Sequence, residues 1–385
     1  MKTYRVAILG CRSRGSAAAQ AYHAHPRTEV VGLCDLKPEL LDALGDDLGV
    51  SDRFADLDEM IRQTEPDIVV VATGTEFHHD LSLRVLEHGV HIDVEKPICV
   101  DLEQADAVLG KADEKGVRVA VHHQGRVGNT FRALARSFRG GAIGTLRHVL
   151  ASGKGYYGGY GLMNIGTHAL NAMLELTGPC RRVTASALTD GHPVTPDDVV
   201  PSPSGMGTIA GEHITATLEF TGGVTATLLQ HRFGVVDSAA YGIEVFGSGG
   251  RLFWRGGGAW LLPTPHFVPD QTDADWEDLD LALPEHFDPE GRANEADYAF
   301  ADDYVCALDE DREHSCSGPA ALHVLEILMG IFESAAYGRP VELPQSGRDH
   351  PLLRWRAEAG LGPPGEMPRP YGDWLAAEDS RLGRG

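Results

Sequence analysis

Asp67-Ile68-Val69-Val70-Val71-Ala72 is a continuous apolar run of the kind that suits a strand buried on both faces. Similar runs recur on either side of it, at Tyr4 to Leu9, Glu29 to Cys34, His91 to Val94 and Val117 to Val121. Helical segments separate them: Ser16 to Ala24, Asp56 to Gln63, Phe77 to Glu87 and Leu102 to Glu114. The unbroken alternation predicts a doubly wound parallel sheet over residues 1–123. With 385 residues the chain exceeds what one hydrophobic core usually holds, so a second domain is expected after it.

The first run ends in Gly10, and Cys11-Arg12-Ser13-Arg14-Gly15 leads straight into an alanine-rich helix. Gly10 and Gly15 stand where a dinucleotide-binding turn needs its first and third glycines, with pyrophosphate at the helix N-terminus. Arg12 takes the place of the second, where a side chain obstructs the phosphates unless it swings aside and lends them its charge. The second run ends in Asp35, placed to accept from both hydroxyls of an adenosine ribose and to repel a 2′-phosphate. NAD is therefore expected over NADP, a preference that the nearby cations Arg12 and Lys37 soften. A purely structural role for Asp35 is to cap the helix that starts at Pro38. Together these features predict a Rossmann domain.

The fourth strand runs into Val94-Glu95-Lys96-Pro97, where proline stops a central ladder and the chain turns, with an X-Pro bond open to the cis form. A lysine at the carboxyl end of a parallel strand faces the crevice in which such sheets bind ligands. The competing reading is a solvated Glu-Lys pair on a surface turn.

Past His123 the pattern changes. A helix over Thr130 to Phe138 precedes alternating strands at Leu146 to Leu150, Arg182 to Ala187, His213 to Phe220, Val224 to Leu229, Tyr241 to Phe246, Arg251 to Trp254 and Ala259 to Leu262. These predict an α+β domain over 124–345 with a large, mostly antiparallel open sheet, closed by helices at Tyr298 to Asp309 and Pro319 to Tyr337. The acidic, proline-bearing stretch 263–294 reads as an irregular loop, and 346–385 as a tail of little periodicity. Between the first two strands, Lys154 and the tyrosines Tyr156, Tyr157 and Tyr160 lie in a glycine-rich loop suited to sugar hydroxyls or to plain solvent. A helix from about Leu162 would carry Asn164, His168 and Asn171 on one face, a stripe that is otherwise merely solvated.

These residues resemble the Gfo/Idh/MocA oxidoreductases, NAD(P)-dependent enzymes of sugars and cyclitols, over nearly the whole chain. The resemblance rests on Gly10 to Gly15 with Asp35, on Thr73-Gly74-Thr75-Glu76-Phe77-His78 against the family's T-P-N-x-x-H, on Glu95-Lys96-Pro97 against its E-K-P, and on Asn164, Gly166, His168 and Asn171 against its D-x-G-x-H-x-x-D. It implies cofactor contacts at Gly10, Arg12, Ser13, Arg14, Gly15, Asp35, Thr73, Thr75, His78, Glu95 and Lys96. It implies substrate contacts at Lys96, Lys154, Tyr156, Tyr157, Asn164 and His168, with Lys96 and His168 catalytic. It also implies a homo-oligomer, dimer or tetramer, joined through the open face of the second sheet. This chain departs from the family at Arg12, at Gly74-Thr75 and at both amides; Asn beside His168 orients but cannot accept a proton.

The implied reaction moves a hydride between a sugar, glycoside or cyclitol carbinol carbon and NAD, and the residues leave open whether His168 or Lys96 accepts the proton. Two rivals stand beside it: a glycosidase or lyase that oxidises and re-reduces its sugar with retained NAD, and a non-catalytic NAD- or sugar-binding protein. Acidic residues outnumber basic ones by 56 to 33, and the net charge of -23 disfavours nucleic acid and anionic membranes. No apolar run approaches a bilayer span and no signal peptide is seen, so a cytoplasmic protein is expected. Six scattered cysteines lack metal or disulfide spacing, and adjacent pairs such as His122-His123 and His78-His79 suit one ion poorly, so no metal is expected.

Overall fold

A computed structural model describes residues 2–266 and 275–384. The chain forms two compact units, and neither is continuous in sequence. The first comprises Met1–Cys99, Gln104–Asn129 and Ala282–Leu322; the second takes Val100–Glu103, Thr130–Leu281 and His323–Gly385.

In the first unit six parallel strands, β1 (Tyr4–Leu9), β2 (Thr28–Cys34), β3 (Arg53–Phe54), β4 (Ile68–Val71), β5 (His91–Val94) and β6 (Val119–Val121), pair in the order β3-β2-β1-β4-β5-β6. The strand order reverses between β1 and β4, which makes the crevice beyond their carboxyl ends the place for a ligand. Val6, Ala7, Ile8 and the whole of β4 are at most 1% exposed, as a sheet covered on both faces requires. The helix Glu295–Asp309 returns to this unit from far downstream. It buries Phe300 and Tyr304, and the Tyr304 hydroxyl is shared between the carbonyls of Ile92 and Arg118. That corrects the expectation that this helix closes the second domain, because its apolar face declares burial without declaring the partner.

The second unit holds a ten-stranded sheet with two-residue strands, Glu277–Asp278 and Val341–Glu342, at the ends of its main path. Its pairings are antiparallel except that of Thr225–His231 with Leu146–Ser152. Alternation along the strands is clear, with Val149, Ala151, Leu228, Val245 and Leu252 buried while Leu150, Leu229, Phe246, Phe253 and Trp260 are only half-buried on the opposite face. The helix Asn129–Arg139 forms as its periodicity predicts. Part of the loop expected over 263–294 lies outside the described residues. The stretch after 345 is ordered into helices Pro351–Glu358 and Tyr371–Arg381, both beginning at or just after a proline.

Candidate active site

The turn after β1 is built for the absence of side chains. Gly10 has φ +92°, and a Cβ there would sit 2.5 Å from the Ala72 carbonyl oxygen; a Cβ on Gly15 would lie 1.7 Å from the Gly10 carbonyl oxygen. Arg12 is exposed at the N-cap, Ser13 has φ 34°, and the helix Ser13–Ala24 has neither a side-chain cap bond nor an acid in its first turn. An uncapped, unopposed helix N-terminus beside a glycine cradle fits a pyrophosphate. Asp35 secures this turn, for its Oδ2 accepts from the Cys11 N–H at 2.8 Å and its Oδ1 from the Lys37 N–H at 2.9 Å. Each oxygen keeps a lone pair for a ribose hydroxyl. Asp35 does not cap the next helix, whose N-cap is Lys37.

Arg14 goes elsewhere. Its Nε donates to Glu95 Oε1 at 2.8 Å and its Nη2 to Asp297 Oδ1 at 2.7 Å, so the guanidinium expected at the cofactor is committed to two carboxylates. The chain of contacts continues inward through His122, whose Nε2 lies 2.9 Å from Asp297 Oδ1 and whose Nδ1 lies 3.1 Å from Asp93 Oδ1. Tyr22 donates to Asp93 Oδ2 at 3.0 Å. Burial opposes a charge on His122, yet Asp93 and Asp297 hold its pKa up to about 10, so both ring nitrogens donate. Burial likewise opposes ionisation of Asp297, and His122 and Arg14 overcome it, lowering its pKa to about 2. Glu95 is also kept below the usual carboxylate range against burial, by His122, Arg14 and Lys96. Arg14 and His122, with Lys96 nearby, thus compensate the buried carboxylates of Asp93, Glu95 and Asp297.

Lys96 therefore stands on a turn whose preceding residue is pinned from behind. Glu95 Oε2 accepts from the Lys96 N–H at 3.3 Å, and the Lys96-Pro97 bond is cis. His78 braces the turn, because its buried ring faces the Pro97 carbonyl at 2.9 Å and the Thr73 carbonyl at 3.3 Å. It joins the turn after β4 to the turn after β5. Thr73 is half-buried, and Thr75 is buried at the start of the 3₁₀ turn Thr75–Phe77. Next to the lysine turn, His123 is buried, and its pKa is pushed well down by burial and then by the charges of Lys96 and Arg126.

In the second unit the segment from Gly158 to Thr177 is helical, but Leu162–Gly166 forms a π turn before the α-helix Thr167–Thr177. Such wide turns shift helix phase and are frequent at functional sites. Asn164 and His168 are half-buried, while Asn171 is fully buried among core residues, so the expected three-residue polar face does not extend to Asn171. Tyr160, four residues before Asn164 in this helical run, has its pKa raised by burial. Lys154 is half-buried, its Nζ 5.7 Å over the Tyr241 ring, and burial lowers its pKa. Tyr156 keeps a partly open ring, but Tyr157, expected at the substrate, has no exposed surface, and its hydroxyl is directed at Glu378 Oε1, 3.4 Å away. The loop's alternating glycines gave no hint which tyrosine turns inward.

Residues 4–123 match the family described as an oxidoreductase family with an NAD-binding Rossmann fold, and residues 124–253 match the GFO/IDH/MocA C-terminal domain. The chain belongs to the GFO/IDH/MocA oxidoreductase family. It is 30% identical over 145 residues to a D-apiose dehydrogenase of Paraburkholderia graminis, covering 38% of this chain and 39% of that protein. It is 28% identical over 189 residues to the D-glucoside 3-dehydrogenase of Escherichia coli, covering 45% and 54%. These matches thus span about half, or less, of the relatives' lengths. A levoglucosan dehydrogenase solved with NADH and levoglucosan shares the fold, with TM-score 0.73 and 20% identity over 89% of this chain and all of that one. Within the GFO/IDH/MocA frame, the glycine turn, Asp35 and Lys96 fall in the first matched segment, and Lys154 through His168 in the second. Asp297 and the C-terminal helices lie beyond both. Asp297 carried one signal in sequence: Asn294 as a helix cap just before it.

Proposed function

We propose that this protein is an NAD-dependent dehydrogenase of a sugar, glycoside or cyclitol hydroxyl carbon. The observation that carries the reading is the glycine cradle at Gly10 and Gly15, fastened by Asp35, in the same unit as a lysine held at the end of β5. NAD, when bound, supplies the hydride acceptor. Gly10, Ser13, Gly15 and Arg12 receive its pyrophosphate, and Asp35 its adenosine ribose. Lys96 polarises the substrate oxygen and His168 takes its proton; the alternative acceptor is Lys96 itself. Asn164 and Lys154 orient the sugar, with Tyr156 presenting its ring. The sugar dehydrogenases among the relatives support this substrate class.

The half-buried apolar residues Leu150, Leu229, Phe246, Phe253 and Trp260 on one face of the large sheet support a homo-oligomer through that face. The six cysteines are free, five of them buried, which supports a reducing, cytoplasmic setting. Among the described residues one helix, Gly318–Tyr337, is long and apolar enough to cross a membrane, and 61% of its apolar window is buried inside the protein.

The test is incubation of the purified protein with NAD and a panel of sugars, glycosides and cyclitols, scoring NADH and altered sugar in each reaction. NADH with an oxidised sugar supports the reading. A cleaved glycoside without NADH would replace it with the redox-neutral reaction, and neither product with tight NAD binding would leave a binding protein.

A further inference from the structure

The C-terminal helix Tyr371–Arg381 is fastened to the second unit by more than an apolar face. Trp374 is fully buried, its Nε1 donates to the Pro201 carbonyl at 2.8 Å, and its ring meets the Tyr157 ring edge-on at 4.9 Å. Arg232 makes paired bonds to Asp379 at 2.7 and 2.8 Å, and Arg384 pairs with the buried Glu212. These contacts alone would anchor a tail.

Tyr371 does something different. Its hydroxyl oxygen accepts from the Tyr157 backbone N–H at 2.9 Å. Its ring stacks on Tyr160 with centroids 5.1 Å apart and planes 22° apart, and meets Tyr156 edge-on at 5.0 Å. Tyr156 and Tyr160 are themselves edge-to-face at 5.2 Å. Tyr160 lies in the helical turn Gly158–Gly161, which runs directly into the π turn Leu162–Gly166 that carries Asn164, just before His168. A backbone bond plus a ring stack fixes both the main chain of the loop and the Tyr160 ring at the head of the helical run that carries Asn164.

We propose that Tyr371 is a positioning residue for the sugar, holding Tyr160 and the helical turn that leads into Asn164, so that the C-terminal helix forms part of the substrate-recognition apparatus. This rests on the sugar-dehydrogenase reading. Asn164 can hold a hydroxyl in register only if the turn that carries it is held, and the helix Tyr371–Arg381 reaches the start of that turn through the Tyr160 ring and the Tyr157 main chain.

The test uses the full chain with Tyr371→Phe, which keeps the stack and removes the acceptor, and Tyr371→Leu, which removes both. In Tyr371→Leu the sugar KM should rise about tenfold with kcat and NAD affinity within about twofold of the parent, and in Tyr371→Phe the rise should be about threefold. Hydrogen exchange should accelerate over residues 156–164 and stay unchanged through the rest of the second unit. An unchanged KM in both variants, or exchange that accelerates evenly over the unit, overturns the proposal. If Tyr371→Leu does not fold, Tyr371→Phe decides by the same two readings. A parent without turnover on any sugar would sink the dehydrogenase reading, and the exchange measurement would then decide the clamp alone, local deprotection supporting it and unchanged exchange overturning it.

Discussion

Arg14 and Asp297 are 283 positions apart in the chain and share a 2.7 Å ion-paired hydrogen bond. Asp297 serves His122 with the same oxygen, so one buried carboxylate faces two cations. Replacing it by Asn keeps the shape and removes the charge. Asp297→Asn should destabilise the protein by about 3 kcal/mol, the scale for breaking a buried pair and leaving a charge uncompensated. Urea unfolding measures this, and a loss under about 0.5 kcal/mol would mean the pair behaves as a solvated surface bridge.

The pH dependence follows from His122. Its folded pKa of about 10 lies above the ordinary value of 6.5, so its contribution to stability is complete below about 6.5 and is lost as pH rises through about 10. Asp297 works in the opposite sense, contributing above its ordinary 3.8 and losing that contribution as pH falls through about 2. Urea midpoints measured from pH 7 to pH 10 should fall in the parent and fall less steeply in His122→Gln. Identical slopes would show that His122 is not held charged.

Asp35 has two duties that two substitutions separate. Asp35→Asn retains an acceptor for the Cys11 N–H but loses the charge, whereas Asp35→Ala loses both. The parent should bind NAD about tenfold more tightly than NADP, and Asp35→Asn should narrow that gap. Asp35→Ala should also weaken NAD itself, because the glycine turn is released. Titration calorimetry with both cofactors reads all three; equal affinities in the parent would remove Asp35 from cofactor choice.

Lys96 and His168 are proposed to serve one transition state, so their losses should not add. Lys96→Met and His168→Ala should each lower single-turnover hydride transfer by about two orders of magnitude while NAD binding holds, and the double variant should be little worse. A His168→Ala enzyme within a few-fold of the parent would move the proton to Lys96.

The local features were readable where one residue type has one physical use. β1, β2, β4 and β5 end where Gly10, Asp35, Thr73 and Glu95 interrupt their apolar runs, and Gly10 and Gly15 admit no side chain. Arg14 misled for the same reason that it was noticed, since a cation in a phosphate-type turn has an obvious use and its real partners, Glu95 and Asp297, are distant in sequence. Helical spacing placed Asn164 with His168 but could not foresee the π turn Leu162–Gly166, which depends on packing rather than propensity. The tail held an unread signal: Tyr371, Trp374 and Glu378 recur on one helical face, and all three contact Tyr157.

The interleaving of the two units bears on synthesis. A ribosome delivers β1 to β6 early, but Phe300 and Tyr304, which finish the same core, leave the tunnel only after all of the large sheet but its last strand, Val341–Glu342, has been made. Until then the carbonyls of Ile92 and Arg118 lack the Tyr304 hydroxyl, and apolar surface meant for the returning helix stands open. A fragment ended at residue 123 would keep that surface permanently and should precipitate or be digested quickly, where the complete chain resists. The nascent protein thus passes through a long interval with this core unfinished, the stage at which exposed apolar surface makes a chain prone to aggregate.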